Sequence, residues 1–464
     1  MSSVELSFRE LIPDVVFRAC KALHMAGGKA YLVGGCVRDM LLGHVPKDFD
    51  IEVYGLPAEA LEKQLATLGR FALVGKQFGV YKLWLDDTEI DIALPRTEIK
   101  TDAGHRGFSV QVDPGLSPEI ASSRRDFTMN AMMYEPLDDE LLDFHAGRQD
   151  LEQKVLRHVS DAFGEDPLRP LRGMQFAARF RLTLHPDTVA LCRQLLSEAT
   201  TLPSERIWSE WEKWAHAATP SFGLRALSDS GWLSLYPELG ALCDCPQDPR
   251  WHPEGDVWTH TLLVVDHAAQ VARRYHWTGF ERLQLLLAAL THDLGKPDTT
   301  ESNESGKITS AGHSQAGLPL ARQLMQRIGA PNRLLEYLEP LIREHMTHMH
   351  GEPTERAVRR LSARLSPVSI EMWEALVEAD ASGRTPFPAG RPALPWLQAA
   401  KAQQVHQQMP AALVTGKMLI DLGLEPGPKF SRILKAAYEV QLEGEIHNEE
   451  TAVAWCKKRL SSAH

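Results

Sequence analysis

Leu32-Val-Gly-Gly-Cys-Val-Arg-Asp-Met-Leu-Leu-Gly43, followed after four residues by Asp48-Phe-Asp-Ile-Glu-Val-Tyr54, is the stretch on which the fold turns. The apolar run Ala30–Val33 predicts a short strand ending at Gly34-Gly35. A helix over Cys36–Leu42 follows, with Gly43 as its C-terminal stop. Two glycines at a helix N-terminus let backbone N–H groups approach a phosphate. A second strand is predicted over Phe49–Val53. Residues two apart on a strand share a face, so Asp48 and Asp50 project side by side. Asp91, in Glu89-Ile-Asp-Ile-Ala93, falls on a predicted strand over Ile90–Leu94 and is the candidate third carboxylate. Three such carboxylates suit phosphoryl transfer from a nucleoside triphosphate. Two Mg²⁺ ions on hard oxygen ligands would activate the attacking hydroxyl and neutralise the triphosphate. A lone Asp-x-Asp is more often a strand edge, and Gly-Gly a tight turn. The ordered set of glycines, Arg38, Asp39 and the two aspartates reverses those odds.

Outward from this stretch, the first 135 residues have a mixed α/β pattern. Helices are expected near 7–26 and over Pro57–Leu68, and another strand over Val80–Leu85. Beyond about residue 140 the pattern is helical almost throughout. Pro- and Asp-rich Leu242–Asp256 and Pro- and Gly-rich Gly383–Pro395 look like junctions. At 464 residues the chain exceeds one core. The expected division is a head (1–138), a helical neck and body (139–240), a further helical domain (241–390) and a helical tail (391–464). The class is α+β, a mixed-sheet head followed by all-α parts. With 24% charged and 44% hydrophobic residues the composition is ordinary for a soluble globular protein. No apolar run approaches the roughly 20 residues of a membrane span, and the N-terminus has no signal-peptide character. Six scattered cysteines, Cys243 and Cys245 included, suggest ordinary thiols in a reducing cytoplasm. A net charge of −11 argues against non-specific coating of nucleic acid but leaves room for one local basic groove.

Two further motifs lie downstream. Arg124-Arg-Asp-Phe-Thr-Met-Asn-Ala131 could be no more than a helix start capped by Asp126 or Thr128. Glu165-Asp-Pro-Leu-Arg-Pro-Leu-Arg172 sets Asp166 and Arg169 three apart, where an i,i+3 salt bridge is the simpler alternative. In the C-terminal half, Trp251-His-Pro-Glu-Gly-Asp-Val-Trp-Thr-His260 precedes Thr291-His-Asp-Leu-Gly-Lys296, Gly312-His313, Glu344-His345 and Glu378-Ala-Asp380. These imidazoles and carboxylates can bind one or two divalent metals. Adjacent residues on a helix diverge by about 100°, so a site needs ligands from several helices.

The first motif resembles that of the class II CCA-adding enzymes and bacterial poly(A) polymerases, a branch of the nucleotidyltransferase superfamily. The resemblance implies nucleotidyl transfer from CTP and ATP to the tRNA 3′ end, with Asp48 and Asp50 binding Mg²⁺ and Asp91 near the hydroxyl. It assigns nucleotide contacts to Gly35, Arg38, Arg125, Asp126, Asn130, Asp166, Arg169 and Arg172. Asp166 and Arg169 would take the Watson–Crick edge of the base. A carboxylate accepts from the exocyclic amine that cytosine and adenine share, and the guanidinium donates beside it. Segment 96–108 falls where these enzymes have a flexible loop, here Glu98–Arg106, that helps the switch from C to A addition; its retention favours full CCA synthesis. The C-terminal set resembles an HD-domain metal phosphohydrolase, as fused to CCA-adding enzymes of some proteobacteria. The implied ligands are His260, His292, Asp293 and Asp380, with His313 and His345 available to a second metal. The metal would be Ni, Mn, Co or a similar transition ion, or Mg²⁺, and the substrate a phosphate ester such as a 2′,3′-cyclic phosphate. The resemblance runs over roughly 28–385. One departure is Glu-Val-Tyr after the second aspartate, where many relatives carry apolar or small residues. The expected partners are tRNA, CTP and ATP without a membrane, in the cytoplasm, with the oligomeric state open. The rivals are a poly(A) polymerase or partial CC- or A-adding enzyme, and an HD phosphohydrolase whose head only binds RNA.

Overall fold

The computed structural model describes residues 7–75, 79–100, 108–388 and 390–461. The chain forms two compact units: Met1–Trp214 with Phe222–Leu235, and Ala215–Ser221 with Tyr236–His464.

In the first unit the expected helix over 7–26 is broken in two. Phe8–Leu11 stops at Ile12, and α1 (Asp14–Met25) starts after Pro13. Proline offers no N–H and drives the residue before it out of helical geometry; Ile12 is accordingly extended. Strand β1 (Lys29–Val33), helix α2 (Gly35–Leu41) and strand β2 (Phe49–Tyr54) follow close to their expected bounds. Pro57 caps α3 (Ala58–Leu68), which leads into β3 (Arg70–Gly75), β4 (Val80–Leu85) and β5 (Thr88–Ala93). The proposed loop at Glu98–Arg106 is in part a strand. Residues 98–100 belong to β6 (Arg96–Lys100), which pairs with β7 (Phe108–Val112) as an antiparallel ribbon. Residues 101–106 lie outside the described residues. With β8 (Met133–Glu135) and β9 (Glu140–Leu142) the main sheet has seven strands in the order β3-β4-β5-β2-β1-β8-β9.

One pairing in that sheet matters most. β2 and β5 run parallel, and their register sets Asp50 directly opposite Asp91. Along β2, Phe49 and Ile51 are buried while Asp50 is exposed. The sheet thus spends one face on its core and presents carboxylates on the other.

After residue 142 the first unit is helical apart from the two-residue pair Val155–Leu156 and Thr183–Leu184. Its central helix is α4 (Arg169–Phe180).

The second unit is built on helices α5 (Val257–Arg274), α6 (Gly279–Thr291), α7 (His313–Arg327), α8 (Arg333–Glu344) and α9 (Ile370–Ser382). Leu285, Leu286, Leu287 and Leu290 of α6 are all buried, as befits a helix apolar on every side at the centre of a bundle. It contacts α5, α8 and α9, and α7 packs on α8. Gly295 sits where α7 starts: a Cβ there would lie 2.1 Å from the His313 carbonyl oxygen and 2.5 Å from the Gly317 nitrogen. Leu242–Asp256 has no helix or strand and lies inside this unit, ending with Asp256 as the cap of α5. Segment 383–393 is tied down by Arg391, which pairs with Glu374 at 2.7 Å and Glu378 at 3.1 Å. Toward the C-terminus Val414, Leu419, Ala437, Ile446, Ala452 and Cys456 close a small core of their own. All six cysteines are unpaired. No described helix is long and apolar enough to cross a membrane.

Candidate nucleotide and metal sites

In the first unit a cavity of about 910 Å³ opens over the carboxylate face of the sheet. Asp48, Asp50 and Asp91 line it, with Gly34 and Gly35 at the start of α2. Burial, and then repulsion by Asp91, push the Asp50 carboxyl above its ordinary value. That repulsion is what a divalent cation between the carboxylates would relieve, so the oxygen donor set fits such an ion. Lys82 Nζ lies 3.2 Å from Asp91 Oδ1, on the neighbouring strand.

The opposite wall is a connected network. Arg38 Nη1 donates to Asn130 Oδ1 at 2.6 Å, and Asn130 Nδ2 donates to Asp126 Oδ1 at 3.1 Å. The other oxygen, Asp126 Oδ2, accepts from Arg172 Nε at 2.8 Å. Arg38, Asp126 and Asn130 are buried. Burial disfavours charge on Asp126, but Arg172 and the bond from Asn130 outweigh it and hold the carboxyl below its ordinary value. Capping of a helix by Asp126 or Thr128 does not occur. Asp126 serves this network, and Thr128 donates to Asp150 at 2.8 Å.

The i,i+3 salt bridge that was the simpler alternative for Asp166 and Arg169 is also absent. Asp166 is extended and precedes the helix, and α4 begins only at Arg169. Asp166 Oδ2 instead accepts from Arg206 at 2.8 Å, forty residues on. Arg169 donates to the carbonyls of Ala162 at 2.6 Å and Arg124 at 2.9 Å. Both side chains still line the cavity, as do Arg125 and Arg172. Arg125 is clamped by Glu52 at 3.1 Å. A Cβ on Gly34, at φ +75°, would lie 3.1 Å from the Arg125 guanidinium, which explains a glycine there.

In the second unit six residues from five separate elements converge. His260 stands on α5, His292 and Asp293 at the end of α6, His313 at the start of α7, His345 just after α8 and Asp380 on α9. All six are buried. His260 Nε2 is 3.1 Å from Asp380 Oδ1, and His292 Nε2 is 3.1 Å from Asp293 Oδ2. On the other side of Asp293, Oδ1 lies 3.5 Å from His313 Nε2, which is 3.1 Å from His345 Nε2. Two sets of possible ligands, His260-His292-Asp293 and Asp293-His313-His345, therefore share one carboxylate.

Each imidazole is aimed. The Nδ1 atoms of His292, His313 and His345 donate to the carbonyls of Ala289, Ser310 and Ile342 at 2.7–2.9 Å. Their Nε2 atoms therefore face the centre, where His292 Nε2 is buried without a hydrogen bond and Asp293 Oδ2 has Lys296 Nζ at 2.7 Å. Burial, and then repulsion by His292 and His313, push His345 down to about 3, so its ring stays neutral. Burial opposes charge on Asp293, yet His292 and Lys296 outweigh it and hold the carboxyl well below its ordinary value. Imidazole nitrogens and carboxylate oxygens converging from five elements, with His292 Nε2 left without a hydrogen bond at the centre, fit one or two divalent cations.

Both sites now have comparisons. A family model described as the poly A polymerase head domain matches residues 30–157, and one described as the HD domain matches residues 257–373. The multifunctional CCA protein of Methylococcus capsulatus is 37% identical over 88% of this chain and 92% of its own length. That of Xanthomonas campestris pv. campestris is 36% identical over 88% and 97%. The chain belongs to the multifunctional CCA protein family. Solved structures agree on the fold. The Bacillus stearothermophilus CCA-adding enzyme in complex with CTP superposes with a TM-score of 0.64 at 21% identity, covering 97% of this chain and 98% of that one. The Thermotoga maritima CCA-adding enzyme complexed with tRNA gives 0.61 at 18% identity over 98% and 97%.

Within this family member, sequence reasoning left several site neighbours unassigned. Glu52, Lys82 and Arg206 touch candidate nucleotide residues, and Glu254, Lys296 and Arg384 touch candidate metal ligands. Glu52 carried a signal, since it follows Asp50 on the same strand face. Lys296 lies three residues after Asp293, with Nζ 2.7 Å from Oδ2. Arg384 lies four residues after Asp380, and the remaining residues reach their partners through the fold alone.

Proposed function

We propose that the first unit adds C, C and A to the 3′ end of tRNA from CTP and ATP, and that the second hydrolyses phosphate esters. The observation that carries the first half is the β2–β5 register, which puts Asp50 beside Asp91 in the cavity that Arg38, Asn130, Asp126 and Arg172 line. Asp91 stands where the attacking 3′-hydroxyl must come. Asp48 and Asp50 would hold Mg²⁺ there, which would supply charge neutralisation for the triphosphate and polarisation of the hydroxyl. Arg38, Arg125 and Arg172 present cationic groups to the triphosphate. Asp166 and Arg169 receive the base edge, once the incoming base exchanges for the contacts they make now. The head, neck and body division at residues 138 and 240 follows these roles.

For the second half, His260, His292, Asp293 and Asp380 would hold one metal, and Asp293, His313 and His345 could hold another. A transition ion such as Ni, Mn or Co suits this imidazole-rich set better than Mg²⁺. The substrate class is a phosphate monoester or 2′,3′-cyclic phosphate at an RNA end, in the cytoplasm.

The deciding assay uses purified protein and tRNA ending at the discriminator base, with each labelled nucleotide singly and in combination. Addition of two C residues from CTP alone, and of a terminal A only after them, is expected. Runs of A on any primer would make the chain a poly(A) polymerase.

A further inference from the structure

Among the four imidazoles aimed at the metal cluster, His260 is anchored differently. His292, His313 and His345 each rest on a backbone carbonyl three residues before them. His260 Nδ1 instead lies 2.8 Å from Glu254 Oε1. The same oxygen takes His252 Nδ1 at 2.9 Å, and the His252 ring stands edge-on to that of His260 with centroids 5.0 Å apart. The Glu254 side chain is 1% exposed, and its other oxygen, Oε2, is buried with no partner. A buried carboxylate is costly unless it is hydrogen-bonded, and two imidazole N–H groups on one oxygen supply such bonds.

We infer that Glu254 is a positioning residue for the metal cluster: its carboxylate fixes the proton of His260 on Nδ1, turns Nε2 toward the metal and raises that ring's strength as a ligand. The inference rests on the reading of this cluster as a metal centre. A carbonyl orients an imidazole, whereas a carboxylate also adds negative charge behind it, and such outer partners govern affinity. Glu254 lies in the loop Leu242–Asp256, six residues before His260, with Asp256 capping α5 between them. The loop that looked like a junction thus delivers a charged group to the back of one ligand.

The test is calorimetric titration of the metal-free full chain with Mn²⁺, for wild type, Glu254→Ala and Glu254→Gln. Removal of a partner of this kind lowers metal affinity about 10–100-fold. The alanine variant should fall in that range. The glutamine variant, which keeps the shape and an acceptor but not the charge, should show a smaller loss. ¹⁵N-histidine spectra supply a readout independent of affinity. The His260 signal should show a single Nδ1-protonated tautomer in wild type and a mixture in Glu254→Ala. Variants that bind Mn²⁺ as tightly as wild type, or an unchanged tautomer, would overturn the inference and leave the metal centre standing. A wild-type chain that takes up no Mn²⁺ would overturn both.

Discussion

At the scale of single residues, the head stakes its chemistry on three carboxylates and a short chain of hydrogen bonds. Asp48→Asn or Asp50→Asn should lower nucleotide addition by at least about 10²-fold. Asp48, just before β2, and Asp50, on it, are both exposed, so circular dichroism and thermal unfolding should not change. Near-normal incorporation by a folded Asp48→Asn/Asp50→Asn double variant would remove these carboxylates from catalysis. Asp166 is held by Arg206, so selectivity has a lever that the motif alone does not reveal. Asp166→Ala and Arg169→Ala should each relax the preference for CTP and ATP over UTP and GTP. Arg206→Ala should do so more weakly, because it frees the Asp166 carboxylate without removing it. Single-nucleotide incorporation with all four triphosphates checks this; wild-type selectivity in all three variants would make these residues purely structural. The aspartates and histidines of both sites were legible in the sequence because motif spacing reports on chemistry. Their partners were not. Arg206 reaches Asp166 across forty residues, and Glu254 reaches His260 from a loop without periodicity, so neither contact leaves a local pattern.

At the scale of elements, the segments that obey a period were readable and those that do not were missed. β1, β2, β4 and β5 alternate or run apolar between turn residues, and their bounds came within two residues. β3 carries Leu73 and Val74 exposed on the sheet's edge, so its apolar run marks no core face. Among the described residues the ribbon β6–β7 pairs with itself, and β7 (Phe108, Val110, Val112) alternates as a strand should, a signal that the loop reading of this segment passed over. The helical half has a different weak point, the crossing at Gly295. Gly295→Ala drives a Cβ against the backbone at the start of α7, which cannot swing aside as a side chain could. Overpacking of this kind costs about 1–3 kcal/mol. It should also widen the 3.5 Å gap between Asp293 and His313, one on each side of the crossing. The expected result is a lower melting temperature together with weaker Mn²⁺ binding and unaltered CTP incorporation. Unchanged melting and binding would mean the backbone accommodates the methyl group.

For the whole molecule, the two sites draw on separate sets of residues. Every residue lining the nucleotide cavity belongs to the first unit, and every candidate metal ligand of the helical cluster to the second. No side chain is shared, so the two activities should be separable by mutation in both directions. Asp293→Ala removes the carboxylate common to both possible metals, leaving four imidazoles with no bridge. Phosphate-ester hydrolysis should be lost, with nucleotide addition at wild-type rate. Asp50→Asn should give the reverse. The measurement is a pair of assays on each preparation: labelled CTP incorporation into tRNA lacking its 3′ end, and metal-supplemented hydrolysis of a panel including a 2′,3′-cyclic phosphate. Parallel loss of both activities in Asp293→Ala, with folding intact, would mean that the cluster supports the transferase rather than a reaction of its own. Selective loss would establish a second catalytic centre. No hydrolysis by wild type under any divalent metal would leave the helical unit as a scaffold, despite six buried ligand groups converging within it.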